Sequence, residues 1–408
     1  MWFTKPKKSI GLDIGTHSVK AVLMSRAGGR LCVEDAAYVP LDRNLVNANP
    51  VEANADAIRS AVQDMTPAMC LVVAALPGQT AVIRYPRIAE VPRDKMSEAV
   101  LQEAGQNIPY DLNDVFLDWV PLDEARDGEQ RQIKVLLAAA KHEVISTRLQ
   151  LLEAAEIKCD ILEVDSLALA DAAEACGILR EGETVALVNI GLTSSSIHFL
   201  KDGVSNFIRE VSWGGAREMI QAIAKDRRCS FEEAENQLRG ASEKDTEEYP
   251  QISQEDIPPL VPIEEPPETS SGGSLLDPLD DELGLGPSLG ETQAKPVLGE
   301  DATRQSIRGL LMGPLSRLVA EVRKSFDFYE HQLYERPVDR VLLSGGLARL
   351  PLVGETIAEE IGVSAVQIAD PTSGSLMLGD DAAVAPLREH PAQFMVAIGL
   401  AARGMADL

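Results

Sequence analysis

An α/β fold of two similar domains facing each other across a cleft is what this sequence predicts, on three observations. A strand-and-turn motif occurs twice: Ile10-Gly11-Leu12-Asp13-Ile14-Gly15-Thr16 returns as Ala186-Leu187-Val188-Asn189-Ile190-Gly191-Leu192-Thr193. Each copy then enters the same context: a second strand (Val19 to Ser25; Ser196 to Leu200), a glycine turn (Gly28-Gly29; Gly203) and a third strand. Two such β-β-β units far apart in one chain mark an internal repeat. The chain has 408 residues, enough for two domains with cores of their own.

The elements follow in order. Ser9 to Ala75 holds three strands, a helix over Val51 to Met65 and a fourth strand over Met69 to Ala75. The unbroken apolar run of that fourth strand suits burial on both faces. Simple β/α alternation then stops. Thr80 to Tyr85 is a short strand ended by Pro86, and Pro92 to Asn107 is a helix with Met96, Val100 and Ala104 four residues apart. Val115 to Leu122 and Gln132 to Ala140 are two more strands. Gly78 to Ala139 is thus expected to be a small α/β subdomain inserted in the first domain, with loops suited to partner recognition.

Glu143 to Ala155 is a helix with Val144, Leu149 and Leu152 inward. Cys159 to Glu163 and Asp165 to Cys176 are a strand and a helix that lead into the second domain. After the second repeat, Gly214-Gly215 opens a helix to Lys225. Ser230 and Glu233 form a capping box for the next helix, to Arg239.

Ala241 to Asp301 is different material, with nine of the chain's 24 prolines. Between Ala241 and Gln305 stand 16 Asp and Glu against three Lys and Arg, half of the whole net charge of −26. Such a composition buries too little apolar surface to offset the entropy of ordering, so a disordered, solvated insertion is expected. Leu275-Leu276 and Leu279 to Leu285, set among Asp and Glu, have the composition of a short docking helix, but a plain solvated linker is the stronger expectation. Order resumes with a long amphipathic helix marked by Ile307, Leu311, Leu315, Leu318, Val322, Phe326, Tyr329 and Leu333, which Pro314 is expected to interrupt. Strand Val338 to Leu343, the turn Ser344-Gly345-Gly346, a helix from Leu352 to Ile361 and a last helix from Ala392 to about Arg403 complete the chain.

The bulk numbers narrow the function. A net charge of −26 argues against general nucleic-acid binding. No stretch is apolar and long enough to span a bilayer, and Met1 to Lys8 lacks the apolar core of a signal peptide, so a cytoplasmic protein is expected. Trp2 and Phe3 beside three lysines would bind a membrane surface only very weakly. Cys32, Cys70, Cys159, Cys176 and Cys229 form no C-x-x-C pair and are expected to be reduced core residues. The five histidines are scattered, so zinc has no support.

The repeats carry the chemistry of a phosphate cleft. Asp13 at a strand end suits Mg²⁺ held through water. Gly15 lets the backbone approach, Thr16 offers a hydroxyl, and Lys20 is a point charge within reach of a β- or γ-phosphate. Gly191 to Ser195, with Thr193, supplies N–H groups and hydroxyls from the opposite side. Gly345-Gly346 is a backbone platform for an adenine ring, and Glu235 suits a ribose hydroxyl. Each signal alone is weak; their order and spacing make the set specific.

With these residues the sequence resembles the actin-like ATPase superfamily, which includes sugar kinases, the bacterial actins and the division protein FtsA. Gly11 to Lys20 matches the phosphate-1 motif, the second copy matches phosphate-2, and Leu342 to Leu347 matches the adenosine motif. Within that superfamily it is similar to the PilM family, actin-like cytoplasmic proteins of the type IV pilus inner-membrane platform. The similarity rests on Leu76-Pro77 with Val82-Ile83-Arg84, Asn107-Ile108-Pro109-Tyr110, Leu136 to Lys141, Trp213-Gly214-Gly215, Phe231 to Glu235, Phe326-Asp327-Phe328-Tyr329, Leu343 to Leu350 and Gly399-Leu400-Ala401. It covers nearly everything except the acidic insertion.

The resemblance implies an actin-like fold with two RNase H-like domains and a small subdomain in the position FtsA uses. The first domain would take 1–77, 140–160 and 390–408, and the small subdomain 78–139. The second domain would take 161–240 and 304–389, and the insertion 241–303. It further implies ATP with Mg between the halves, held by Asp13, Gly15, Thr16, Lys20, Asn189, Gly191, Thr193, Gly214, Gly215, Glu235, Gly345 and Gly346. The implied partner is the short cytoplasmic N-terminal tail of a PilN-type membrane protein, in a groove beside the small subdomain. Other pilus platform and motor proteins and a homodimer are further implied partners, and the membrane is reached only through partners.

Two departures qualify the match. The acidic residue usual in phosphate-2 is Asn189, a poor organiser of metal and attacking water. The lysine usual three residues after Glu235 is Leu238, with Arg239 adjacent. ATP binding with little or no hydrolysis is therefore expected. An FtsA-like division protein would add a basic amphipathic anchor after Gly399 to Leu408, and a GspL-like secretion protein a transmembrane helix. A sugar or acid kinase would need a carboxylate base near the second turn. A cleft that binds nothing is opposed by the intact Asp13, Thr16, Lys20 and Gly345-Gly346.

Overall fold

The computed structural model describes residues 8–127, 130–248 and 306–406. β1 (Lys8–Ile14), β2 (Ser18–Ala27) and β3 (Arg30–Pro40) form an antiparallel meander. Asp42 and Asn49 cap the two helices that follow, α1 (Arg43–Ala48) and α2 (Pro50–Val62), each accepting first-turn N–H groups. α2 buries a mostly alanine face with Ile58 and Val62, and the chain returns as β4 (Leu71–Leu76), parallel to β1.

A separate four-stranded sheet comes next, from β5 (Ala81–Arg84), β6 (Arg87–Ala89), β7 (Val115–Asp127) and β8 (Gln130–Lys141), with α3 (Met96–Asn107) between its second and third strands. β8 pairs antiparallel with β5 and β6 along one edge and with β7 along the other. The chain re-enters the first sheet through α4 (His142–Ala154) and β9 (Ile161–Val164), then crosses in α5 (Asp165–Ala175).

The second half repeats the first. β10 (Thr184–Ile190), β11 (Ser195–Lys201) and β12 (Val204–Val211) form the meander, with Gly203 at φ 80° in its second turn. α6 (Ala216–Arg227), α7 (Phe231–Glu248) and α8 (Ile307–Asp327) pack over it, and β13 (Arg340–Gly345) lies parallel to β10. α9 (Pro351–Ile361), β14 (Val366–Ile368), β15 (Met377–Leu378), α10 (Ala385–Glu389) and α11 (Met395–Met405) complete the described chain. The sheet orders are β15-β3-β2-β1-β4-β9 and β12-β11-β10-β13-β14, so apart from the added edge strand the two sheets have one topology.

α5 and α11 lie between the sheets and join them. One apolar core takes Val22, Met24 and Val73 from the first sheet and Val185, Leu187 and Leu342 from the second, with Leu169 of α5 and Ile398 and Leu400 of α11. Two glycines set the spacing of these layers. A Cβ on Gly11 would lie 2.0 Å from the Ala397 carbonyl oxygen, and one on Gly399 1.7 Å from that of Ala168.

Several expectations are corrected. Pro314 does not interrupt α8, which runs through it and widens only in a π-type turn at Phe328–Gln332, leaving Leu333 exposed. In α4 only Leu152 is buried, and Leu149 is 42% exposed. α7 continues to Glu248, into the stretch expected to be disordered; the rest of that stretch, like Trp2 and Phe3, lies outside the described residues. Among the cysteines only Cys176 is fully buried, though all five are free thiols. α1, β6, β14, β15 and α10 were not anticipated: each is at most six residues long and held by its neighbours.

Candidate functional site

The two repeated turns face each other at the ends of β1 and β10. In the first, the Gly15 N–H donates to the Ser18 carbonyl at 3.1 Å; in the second, the Gly191 N–H donates to Ser194 at 2.9 Å. The internal repeat thus holds down to single hydrogen bonds. Between the turns opens a cleft of about 590 Å³. Thr16 Oγ1 and Thr193 Oγ1 meet across it at 3.2 Å, one hydroxyl from each domain.

Ten of the twelve residues expected in a nucleotide site line this cleft: Asp13, Gly15, Thr16 and Lys20 from the first domain, and Asn189, Gly191, Thr193, Glu235, Gly345 and Gly346 from the second. Gly214 and Gly215 do not. They stand behind the second turn and let the start of α6 dock there: Ala216 N–H donates to the Gly191 carbonyl and Arg217 N–H to Leu192, at 2.9 and 2.8 Å. A Cβ on Gly215 would lie 2.4 Å from the Leu192 oxygen, so the glycine is demanded by that approach rather than by a ligand.

Chemistry is divided along the cleft. At one end Lys20 Nζ donates to Asp13 Oδ2 at 2.8 Å, with both side chains largely buried. Arg148 of α4 and Asp165 at the start of α5 line the same end. The Asp165 carboxylate accepts from the Gly78 N–H at 2.8 Å, yet burial, with the nearby Glu210 and Asp13 carboxylates, raises its pKa to about 8. At the other end Ile220, Leu238, Leu347 and Leu350 add an apolar wall beside Gly345-Gly346. Gly345 sits at φ 90°, where a side chain is strained, and the Gly346 N–H donates to the Ile190 carbonyl at 3.0 Å.

Glu235 has more partners than its position in α7 foretold. Its carboxylate accepts from His17 Nε2 at 2.6 Å, Arg43 at 3.0 Å and Arg239 at 3.2 Å. Burial works to raise its pKa, but the His17 hydrogen bond and the three nearby positive groups outweigh it and hold the carboxyl down at about 2. The Arg43 guanidinium also lies 4.1 Å above the Phe231 ring, and the Tyr38 hydroxyl is 3.2 Å from His17 Nδ1. His17, Tyr38, Arg43, Arg148 and Asp165 escaped the sequence reading because no local pattern marks them; the fold alone collects them.

The Asn189 side-chain oxygen accepts from the Ser344 hydroxyl at 3.2 Å, tying β10 to β13. Among the described residues, no cluster of three or more His, Cys, Asp or Glu is arranged to hold a metal; Asp13 stands at the end of β1 beside the first turn, with Asp165 lining the same end of the cleft.

A family model described as "Type IV pilus assembly protein PilM" matches residues 11–258 and 300–405. Among solved structures, a PilM-PilN type IV pilus biogenesis complex superposes with a TM-score of 0.71 at 22% identity, covering 98% of this chain and 99% of that one. The ethanolamine utilization protein EutJ from Carboxydothermus hydrogenoformans gives 0.45 at 12% identity, with 98% and 90% covered. MreB 5 of Spiroplasma citri, bound to AMPPNP, gives 0.43 at 11%, with 97% and 95% covered. The fold, two sheets of one topology joined by shared helices, is that of the PilM-PilN structure.

Proposed function

The chain belongs to the family of type IV pilus assembly protein PilM, and from that membership we propose that it is an ATP-binding adaptor of the pilus inner-membrane complex. The observation that carries the nucleotide part is the pair of equivalent turns closing on one cleft, with Thr16 and Thr193 3.2 Å apart. A polyphosphate there meets backbone N–H groups and hydroxyls from both domains. Gly345-Gly346 and the apolar wall take the adenine, and Glu235 takes a ribose hydroxyl in exchange for part of its present bonding. Asp13 suits a magnesium ion held through water; that ion supplies charge neutralisation at the phosphates, while Lys20 adds a second positive charge.

Hydrolysis is weak in this reading. Asn189 is an amide already engaged with Ser344, and Asp165, with its pKa near 8, is mostly protonated at neutral pH and a poor proton acceptor. Turnover falls well below the roughly 10 s⁻¹ typical of enzymes.

The partner is the short cytoplasmic tail of a PilN-type membrane protein, and family membership supports it. The tail adds as a strand beside the inserted sheet. Among the described residues the outer edge of β7 pairs with no strand, and Phe116 and Val120 on it are 56% and 47% exposed. No described helix is long and apolar enough to cross a membrane. In this reading the protein lies on the cytoplasmic side and is held at the membrane by that partner, a location that family membership supports.

Calorimetric titration of Mg-ATP, alone and with a synthetic PilN-type tail peptide present, tests the reading. ATP binding whose affinity the peptide changes is the expected result. Peptide binding without ATP binding would leave a static scaffold, and binding of neither would remove the adaptor function.

A further inference from the structure

Two cations stand at the phosphate end of the cleft, in unlike states. Lys20 is neutralised by Asp13 at 2.8 Å. Arg148 is not: no hydrogen bond joins its guanidinium to any described residue, and of the carboxyl groups that attract it, Asp13 is already bonded to Lys20 and Asp165 is held protonated to about pH 8 by burial. Burial makes its charge costly, lowering its pKa against those attractions. A guanidinium withdrawn from water without a hydrogen-bonded counter-charge is destabilising unless a ligand supplies one. Its planar fork fits two oxygens of a phosphate at once, which an ammonium cannot do.

Arg148 also occupies a special place in the chain. It lies on α4, which starts at His142 directly after β8 ends at Lys141. α4 is anchored by Leu152 in the first domain's core and by Arg59, which donates to the Ala154 carbonyl at 2.8 Å. One helix therefore has a cation in the cleft and its first residue directly after the central strand of the inserted sheet.

We propose that Arg148 binds the terminal phosphate of a nucleoside triphosphate, so that α4 distinguishes triphosphate from diphosphate and passes the difference to the inserted sheet. This rests on the nucleotide reading of the cleft. Once Lys20 is shared between Asp13 and the inner phosphates, the outermost phosphate is the one that demands a further charge, and Arg148 is the cation lining that end without an ion-pair partner. A diphosphate leaves Arg148 as it is now.

The test is titration of Mg-ATP and Mg-ADP into the wild-type chain and the Arg148→Ala and Arg148→Lys variants, with melting temperatures as a folding check. Arg148→Ala should weaken ATP about tenfold or more and ADP less than about twofold, with Arg148→Lys intermediate for ATP. Hydrogen exchange in β8 should differ between ATP and ADP in the wild type and not in Arg148→Ala. Equal losses for both nucleotides, or no loss for either, would overturn the proposal while leaving the nucleotide site standing. If Arg148→Ala fails to fold, ATP and ADP weakened alike by Arg148→Lys does the same. A wild-type chain that binds neither nucleotide overturns this proposal and the cleft reading together.

Discussion

His198 is wholly buried, with Nδ1 2.8 Å from the Ser166 carbonyl and Nε2 2.8 Å from the Ser205 hydroxyl. Burial pushes its pKa down from 6.5 to about 4. The unfolded chain thus binds a proton that the folded one refuses between those values. Stability falls as pH drops through that window, by on the order of 3 kcal/mol. Glu210 and Asp171 act with the opposite sign. Burial raises both to about 7, so their contribution is present below the unfolded carboxylate range and is lost as pH rises through 7. Melting curves of His198→Gln should therefore gain on the wild type as pH falls from 6.5 to 4.5, and those of Glu210→Gln should gain as it rises from 5 to 8. Differences that stay flat across pH would refute the burial assigned to these groups. Neither site was legible in the sequence: a histidine between Ile197 and Phe199 shows a buried strand but not its partners, which come from α5 and β12.

At the scale of elements, strands and long helices were the most legible, because their apolar period is local. The capping box is a clear case: Ser230 Oγ accepts from the Glu233 N–H at 3.2 Å, and the Glu233 carboxylate accepts from the Ser230 N–H at 2.8 Å. Pro314 was misjudged because a proline's cost inside a helix is a local rule that tertiary burial can override. Leu311, Leu315 and Leu318 on either side of it are fixed in the second domain's core. The crossing of α11 with α5 and β1 makes a firmer prediction. With 1.7 Å available for a Cβ at Gly399, Gly399→Ala forces α11 from α5 and should cost about 3 kcal/mol or more. Gly346→Ala, where a Cβ meets nothing within 4 Å, is the control; equal denaturation midpoints for the two variants would discredit the close crossing.

Across the whole molecule, the two domains are tied twice. Behind the cleft, α5 and α11 bind the sheets through shared core. Across its mouth, Glu235 holds His17 and Arg43, both from the first domain. Arg43 is 36% exposed and His17 24%, so removing the shared carboxylate leaves two partly buried donors of the first domain without their partner and loosens the link. Glu235→Ala should therefore widen the cleft, seen as a larger radius of gyration in solution scattering, and weaken ATP about tenfold. An unchanged radius with intact ATP binding would mean that Glu235 neither latches the domains nor touches the nucleotide.

The sequence by itself determined the doubled architecture, the two turns and ten of the cleft's residues, because a strand ending in Gly and Thr must turn there wherever it is placed. Tertiary structure alone decided the rest. It put Gly214 and Gly215 behind the turn, since α6 needs that space. It gave Glu235 to His17 and Arg43, and it brought Arg148 and Asp165 to the phosphate end. The physical reason is range. Backbone turns and apolar periods depend on neighbours in the chain, whereas the charge state and partners of a buried side chain depend on what packing brings beside it. In this chain those partners lie up to 392 residues away, as the buried Ser9 hydroxyl on the Ala401 carbonyl shows.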